Sequence, residues 1–164
     1  MADVKSSINP LFLREEELRQ GIELLFYGYR DFTGEPDSIL AEVGFGRAHH
    51  RAIHFINRDP GMTVAALLTI LRITKQSLSR VLSQLVDEGY VEQKKGVRDR
   101  RQRLLYLTEK GRDLERRVSE KQRARVAKAY QEAGAEAVEG YRKVLLGLID
   151  ETDRATVLKS IQNR

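Results

Sequence analysis

The sequence contains no cysteine, no tryptophan and only three prolines in 164 residues. Without cysteine the chain forms no disulfide and offers no thiolate for metal binding, catalysis or peroxide sensing. No run approaches the roughly 18 apolar residues that a membrane-spanning helix needs. The opening segment, MADVKSSINP, also lacks the apolar core of a secretion signal. These absences predict a cytoplasmic protein that does not contact a membrane.

Patterns typical of enzymes are also missing. The sequence has no glycine-rich phosphate loop, no nucleophile motif and no carboxylate pair that stands apart from the charged helices. Its histidines are His49, His50 and His54, and the i,i+4 spacing of the last two would let them share a metal. No third ligand is marked, so a structural role or a place in a small-molecule pocket is favoured. We predict neither catalysis, nor a metal, nor a cofactor.

Charge is abundant and biased toward the positive. Lysine and arginine number 29 against 24 acidic residues, a net charge of +5, and the isoelectric point is about 9.6 with a mean hydropathy of −0.47. This balance suits a polyanionic partner, although many basic proteins bind nothing acidic. The length is that of one domain with a sizeable core.

Two short helices are predicted in residues 63–89. Thr63 and Thr74 each precede a helical apolar stripe and suit the N-cap position, and Gly89 supplies the stop of the second helix. The apolar positions are Val64, Leu67, Leu68 and Leu71 in the first helix, and Leu78, Val81, Leu82, Leu85 and Val86 in the second. This is a helix-turn-helix pattern.

The polar face of the second helix carries no carboxylate before Asp87. Its residues are Lys75, Gln76, Ser77, Ser79, Arg80, Ser83 and Gln84. A solvated face would more often interleave glutamate with lysine, so three turns without acid favour approach to an anion. A simple solvated face remains the alternative.

A basic hairpin is predicted next. Residues 90–94 and 103–107 read as strands, and the connection between them contains Gly96. From Glu92 to Arg103 six cations face two acids, a net of +4. The cations are Lys94, Lys95, Arg98, Arg100, Arg101 and Arg103. A loop that repels itself in this way is stabilised by phosphates, and the alternative is a solvated hairpin.

Helix, turn, helix and basic hairpin together make a winged helix-turn-helix, which docks its second helix in the major groove of DNA. The run DRRQRLLYLTEKG at 99–111 resembles the wing signature of the MarR family of bacterial regulators, D-x-R, a strand, then L-T-x-x-G. The resemblance covers essentially the whole chain. It implies a mainly α fold with a small β-hairpin wing, in which a core at 37–112 is flanked by dimerisation helices at 9–36 and 113–164.

Roles for the DNA-contacting residues follow. We predict that Gln76, Ser77 and Arg80 contact base edges, and that Thr74 and Lys75 contact phosphate, with Ser79 on the same face. The resemblance implies that Arg101 enters the minor groove and that Asp99 orients it. The remaining wing cations, Lys94, Lys95, Arg98, Arg100 and Arg103, are candidates for phosphate contacts, although strand alternation lets only some face DNA at once.

Amphipathic helices flank this core. The first is predicted to begin at Asn9 and Pro10 and to end at Gly34 and Pro36, with a stripe of Leu18, Ile22, Leu25, Phe26 and Tyr29. The second begins at Asp37 or Ser38 and runs through Leu40, Val43 and Phe45 to about Asn57, with Met62 in a short strand beside the wing.

Thr108 caps a long polar helix that breaks near Gly134, and a segment at 138–148 and a short helix at 156–161 follow. Narrow stripes on long helices suit contact with a second copy, and the resemblance implies a homodimer.

A pocket for a small molecule is implied by the resemblance on the first two helices. Its candidate residues are Phe26, Tyr29, Phe32, Arg47, His50 and Arg51. Apolar walls with cationic groups would suit an aromatic acid or a phenol. Ordinary core packing and surface charge are the alternative for each of them.

The predicted function is sequence-specific regulation of transcription. A homodimer would bind double-stranded DNA at a palindromic promoter site with half-sites about 10 bp apart, and a small-molecule effector would relieve binding. Repression is implied by the resemblance alone. The alternatives are a sequence-indifferent architectural DNA-binding protein and a protein-interaction module that has lost DNA binding.

Overall fold

The computed structural model of the chain describes residues 10–163, which form seven α-helices, a 3-10 helix at Leu11–Leu13 and one antiparallel sheet. The helices are α1 Glu15–Ala41, α2 Arg47–Arg58, α3 Val64–Leu71, α4 Lys75–Asp87, α5 Glu109–Ala133, α6 Ala135–Leu148 and α7 Arg154–Gln162. The strands are β1 Met62–Thr63, β2 Val91–Lys95 and β3 Arg103–Leu107. The predicted fold class is confirmed. None of the helices described is long and apolar enough to span a membrane.

The predicted end of the first helix is wrong. Gly34 and Pro36 lie inside α1, so the boundary placed between residues 36 and 37 falls within a helix, and no helix begins at Asp37 or Ser38. Proline in a helix costs about 3 kcal/mol. Here Pro36 and Leu40 are buried, and α1 packs against α5 and α2, so tertiary packing offsets that cost.

The second helix begins nine or ten residues later than predicted. Val43 and Phe45 lie in the connection after α1, and Gly46 is the N-cap of α2. His49 Nδ1 accepts a hydrogen bond of 3.1 Å from the Gly46 N–H, which satisfies one donor at the start of the helix. Asn9, where the first helix is predicted to begin, lies outside the described residues.

The helix-turn-helix forms as predicted. Thr63 Oγ1 accepts the Ala66 N–H at 3.1 Å, and Thr74 Oγ1 accepts the Ser77 N–H at 3.1 Å, so each threonine caps its helix. Helix α4 buries four residues of the predicted stripe, Leu78, Val81, Leu82 and Leu85. Gly89, with φ of 82°, turns the chain from α4 into β2.

The sheet has the order β1-β3-β2, with both pairs antiparallel. Met62 pairs with Leu105 in β3, which confirms the short strand predicted beside the wing. Leu105 and Leu107 are buried, so the base of the hairpin closes the core between α2, α4 and the start of α5. The tip of the hairpin projects beyond that core.

The C-terminal third is helical as predicted. Helix α5 begins after the N-cap Thr108 and ends at Gly134, whose φ of 87° suits glycine. Helix α6 follows directly, and α7 occupies the region of the predicted final helix. The boundary predicted between residues 112 and 113 falls inside α5. Helix α5 packs against α1, α2 and α6. It therefore connects the helix-turn-helix to the N-terminal helix and to the C-terminal helices.

Candidate nucleic-acid interface

The predicted reading face of α4, which occupies the first two turns of the helix, is solvent-exposed. Its six residues, Thr74, Lys75, Gln76, Ser77, Ser79 and Arg80, are all exposed, while the opposite face packs in the core. Thr74 Oγ1 donates a hydrogen bond of 2.8 Å to Ser77 Oγ and also accepts the Ser77 N–H. These two hydroxyls fix the first turn of the helix, and the side chains of Gln76 and Arg80 stay available to a ligand.

Gln84 does not belong to this exposed face. His49 Nε2 donates to Gln84 Oε1 at 2.8 Å, since the other ring nitrogen of His49 accepts the Gly46 N–H. The Gln84 amide also donates to Glu88 Oε1 at 3.2 Å. Gln84 therefore connects α4 to α2. The sequence pattern, which placed Gln84 in a run of polar residues, did not indicate this contact.

The tip of the wing is closed by short hydrogen-bonded turns. The Gly96 N–H donates to Gln102 O at 3.0 Å, and the Gln102 N–H donates to Asp99 O at 3.1 Å. Asp99 Oδ1 accepts the backbone N–H of Arg101 at 2.9 Å, an Asx-type turn. A side chain at Gly96 would collide with the Asp99 carbonyl oxygen. Asp99 thus sets the backbone direction at Arg101.

Positive charge on the wing is uncompensated. Within residues 10–163, none of the six wing cations, Lys94, Lys95, Arg98, Arg100, Arg101 and Arg103, makes an ion pair. The sheet register places Lys95 directly opposite Arg103, and like charges in that position destabilise a strand pair. Lys94 Nζ lies 4.8 Å from the centre of the Tyr106 ring. An anion beside this hairpin would remove the repulsion.

The segment that follows the wing ties it to the end of α4. Thr108 Oγ1 donates to Gly89 O at 2.6 Å and accepts the Gly111 N–H at 3.1 Å, so one hydroxyl caps α5 and holds the turn after α4. Lys110 Nζ donates to Glu88 O at 2.8 Å. The helical pattern indicated only a capping role for Thr108. The L-T-x-x-G motif, which contains Thr108, was the sequence signal for its second role, the hydrogen bond to Gly89 O.

Comparison with known proteins agrees with this geometry. A profile of the MarR family matches residues 43–102, from the connection before α2 to the tip of the wing. The HTH-type transcriptional regulator PetP of Rhodobacter capsulatus is 56% identical over 144 residues, which is 88% of this chain and 87% of that protein. The chain belongs to the MarR family.

Solved structures of MarR family members share the fold. A MarR family transcription regulator superposes with a TM-score of 0.71 at 19% identity, over 90% of this chain and 95% of that one. Streptococcus pneumoniae FabT, solved in complex with DNA, superposes with a TM-score of 0.68 at 20% identity, over 91% and 100%. This chain is a helix-turn-helix transcription regulator of the MarR family and not an enzyme.

Four of the six candidate pocket residues of this MarR family member lie around the junction of α1 and α2. An Arg51 guanidinium nitrogen donates to the Tyr29 hydroxyl at 2.6 Å, and the Arg47 guanidinium lies 5.7 Å from the Tyr29 ring centre and also pairs with Asp37 at 3.0 Å. The Phe32 ring lies 6.5 Å from that of Tyr29. Tyr29 is therefore the centre of this group.

Phe26 and His50 differ from the other candidate pocket residues. Phe26 is 63% exposed and contacts the ring of Tyr27. His50 Nε2 is buried without a hydrogen-bond partner in the described chain. Burial, and secondarily the neighbouring His54, lowers the pKa of the His50 imidazole, so this ring is uncharged at neutral pH and supplies no cation.

His49 and His54 are both in contact with other side chains of the protein. His49 stacks on Phe45 with ring centres 4.7 Å apart, and His54 Nδ1 lies 3.7 Å from Glu115 Oε1. Asn57 also donates to Glu115, at 3.2 Å. Among residues 10–163, no group of three or more potential ligands is placed to hold a metal. The i,i+4 pair of His50 and His54 therefore lacks a third ligand in the described structure.

Proposed function

We propose that this regulator binds a palindromic DNA site as a homodimer, with α4 in the major groove and the wing at the adjacent minor groove. The observation that carries the proposal is the combination of an exposed, acid-free face on α4 with unpaired cations on the hairpin that directly follows it. Thr74 and Lys75 at the start of α4 suit phosphate, and Gln76 and Arg80 suit adenine and guanine edges.

Two alternatives predict different behaviour. An architectural protein would bind any duplex with similar affinity, and the exposed Gln76 and Arg80 favour a protein that discriminates between bases. A protein-interaction module without DNA binding would have no use for a hairpin in which Lys95 opposes Arg103. Both observations favour the regulator.

Exposed apolar side chains on the terminal helices support the homodimer. Ile22 on α1 is 70% exposed and Phe26 63%, while Val144 and Leu148 on α6 are 64% and 62% exposed. Side chains of this size are favourably removed from water, at about 25 cal/mol for each Å² buried. A second copy would bury them with twofold symmetry, which a palindromic site matches.

Selection of duplexes from a random pool tests this function. We expect a palindrome with half-sites about 10 bp apart, bound roughly a thousandfold more tightly than a shuffled duplex at equal salt. Light scattering should give a mass of two chains per duplex. Recovery without sequence preference would support the architectural alternative, and a single chain on an asymmetric site would contradict the homodimer.

We further propose that a small aromatic acid or phenol binds beside Tyr29 and relieves DNA binding, and that the DNA-bound form represses transcription. Tyr29 and the guanidinium of Arg51, which has no acidic partner in the described chain, offer an aromatic wall with charge that suits a carboxylate, while Arg47 is paired with Asp37. A depression of about 440 Å³ between α1 and α5, lined partly by Phe32, adds apolar surface nearby. Such a ligand must favour one dimer shape over the other.

Titration of the selected duplex complex with benzoic acid and with phenol tests the effector proposal. We expect a loss of duplex affinity of about tenfold, which requires a difference of about 1.4 kcal/mol in ligand binding between the two forms of the protein. Cyclohexanecarboxylic acid is the control, because it has the same charge without the aromatic ring. Unchanged affinity with both aromatic compounds would contradict the proposal.

A further inference from the structure

Arg72 has an unusual backbone conformation. It follows the last residue of α3 in the turn of the helix-turn-helix, and among residues 10–163 it is the one non-glycine with positive φ, at 51°. Its N–H donates to Leu68 O at 3.1 Å and closes the end of α3. Glycine usually occupies this position because a Cβ is strained there. An arginine at this strained position indicates that its side chain makes contacts that a glycine could not make.

The Arg72 side chain joins this turn to the C-terminal segment. Its Nη1 lies 3.2 Å from Asp150 Oδ2, and its Nη2 donates to Asp153 Oδ2. Both aspartates lie in the connection between α6 and α7. Arg72 stands two residues before Thr74, the N-cap of α4. Two ion pairs therefore link the turn before α4 to Asp150 and Asp153, which follow Arg72 by 78 and 81 positions in the sequence.

The segment that carries these aspartates is itself fixed. Arg154 donates to Ile149 O and to Gly147 O, each at 3.0 Å, which closes the end of α6. At the far end of α7, Arg58 on α2 donates to Asn163 O at 2.7 Å. Residues 149–163 thus form a strap, attached to the turn before α4 at one end and to α2 at the other.

The charges around Arg72 argue against a direct contact with DNA. One guanidinium stands between two carboxylates, so the local group has a net charge of −1, which repels phosphate. Lys75 and Arg80, by comparison, have no acidic partner in the described chain. The positive charge of Arg72 is satisfied within the protein.

We propose that Arg72 is a positioning residue, which through Asp150 and Asp153 fixes the direction of α4 relative to the C-terminal helices and so sets the preference for the correct DNA site. This inference rests on the proposed function. If α4 is to read two half-sites at a fixed spacing, its direction must be fixed relative to the helices proposed to hold the dimer. The strap provides that attachment at the turn itself.

The test compares Arg72→Ala with the double variant Asp150→Asn/Asp153→Asn. The readout is the ratio of affinities for the selected palindrome and a shuffled duplex of equal length, at equal salt. Removing acids raises affinity for both duplexes alike, so the ratio isolates positioning from charge. We expect the ratio to fall about three- to tenfold in each variant, with no further fall when the substitutions are combined.

Two further variants separate positioning from stability. Arg72→Gly relieves the strained backbone, so we expect it to stay folded and to lose the preference to the same extent. Glu151→Gln removes a neighbouring acid that makes no ion pair in the described chain, and should leave the ratio unchanged. A ratio that is unchanged in the Arg72 and aspartate variants would overturn the proposal.

Two other outcomes distinguish a failure of this proposal from a failure of the proposed function. Loss of preference in Arg72→Ala with a normal ratio in the aspartate variant would mean that Arg72 contacts DNA directly, and would also overturn the proposal. If the unmodified protein selects no palindrome, the proposed function itself fails. That result is independent of the strap variants.

Discussion

Replacing Gly111 by alanine is expected to lower the free energy of unfolding by about 1–3 kcal/mol, the cost of forcing an extra methyl group into a packed site. A Cβ at this position would collide with the carbonyl oxygen of Tyr90 and lie 3.4 Å from Leu107 Cβ. That carbonyl accepts the Thr108 N–H at 3.0 Å, so it cannot retreat without breaking the bond that joins β2 to the start of α5.

The sign of this effect is opposite to the usual one in helices. Alanine is ordinarily about 1 kcal/mol more favourable than glycine inside a helix. A Cβ added at Gly34, inside α1, would meet no neighbouring atom within 4 Å, so Gly34→Ala is the matched control and should stabilise the protein by about 0.5–1 kcal/mol. Urea unfolding of both variants measures the two values. Equal stability of Gly111→Ala and the unmodified protein would contradict the close contact.

Local signals predicted the helix-turn-helix and the wing because each depends on residues a few positions apart. Thr63, Thr74 and Thr108 each accept the N–H of the residue three positions later, at 3.1 Å. The glycine after α4 and the alternating residues of the hairpin are equally local. The resemblance to the MarR family rested on the same stretch, and the comparisons confirm it.

Features set by distant residues were not predictable. Proline normally ends a helix, and the burial of Pro36 in a helix that packs against the distant α5 offsets that preference. The pairing of Gln84 with His49 joins positions 35 apart, and that of Arg72 with Asp150 joins positions 78 apart. No periodicity within a window of one or two helices reports such partners.

The candidate pocket shows the same limit. Helical spacing placed Tyr29 on one helix and Arg47 and Arg51 on the next, but it could not indicate which would meet. The structure brings these three together, with Arg51 donating to the Tyr29 hydroxyl. It leaves Phe26 exposed beside Tyr27. The contact between α1 and α2 decides the difference, and the spacing of residues within either helix does not report it.

Neutralising the wing should have the largest effect on DNA binding. We expect Arg98→Ala/Arg100→Ala/Arg101→Ala to bind the selected palindrome about a hundredfold more weakly at about 150 mM salt. Each of these cations that contacts a phosphate adds about 0.9 to the slope of log affinity against log salt concentration. Titrations at several salt concentrations therefore count the wing residues that contact DNA.

The matched control removes the same charge elsewhere. Arg116 and Arg117 on α5 and Arg142 on α6 are paired with Asp113, Glu42 and Glu139, so replacing all three arginines by alanine also lowers the net charge by three. Because exposed charges more than a Debye length from the phosphates are screened at this salt, the control should lose little affinity and keep its salt slope. If both triple variants weaken binding equally, the overall charge drives association, and the wing has no specific contact with the duplex. If the wing variant alone loses affinity and salt slope, Arg98, Arg100 and Arg101 include direct contacts with the duplex phosphates.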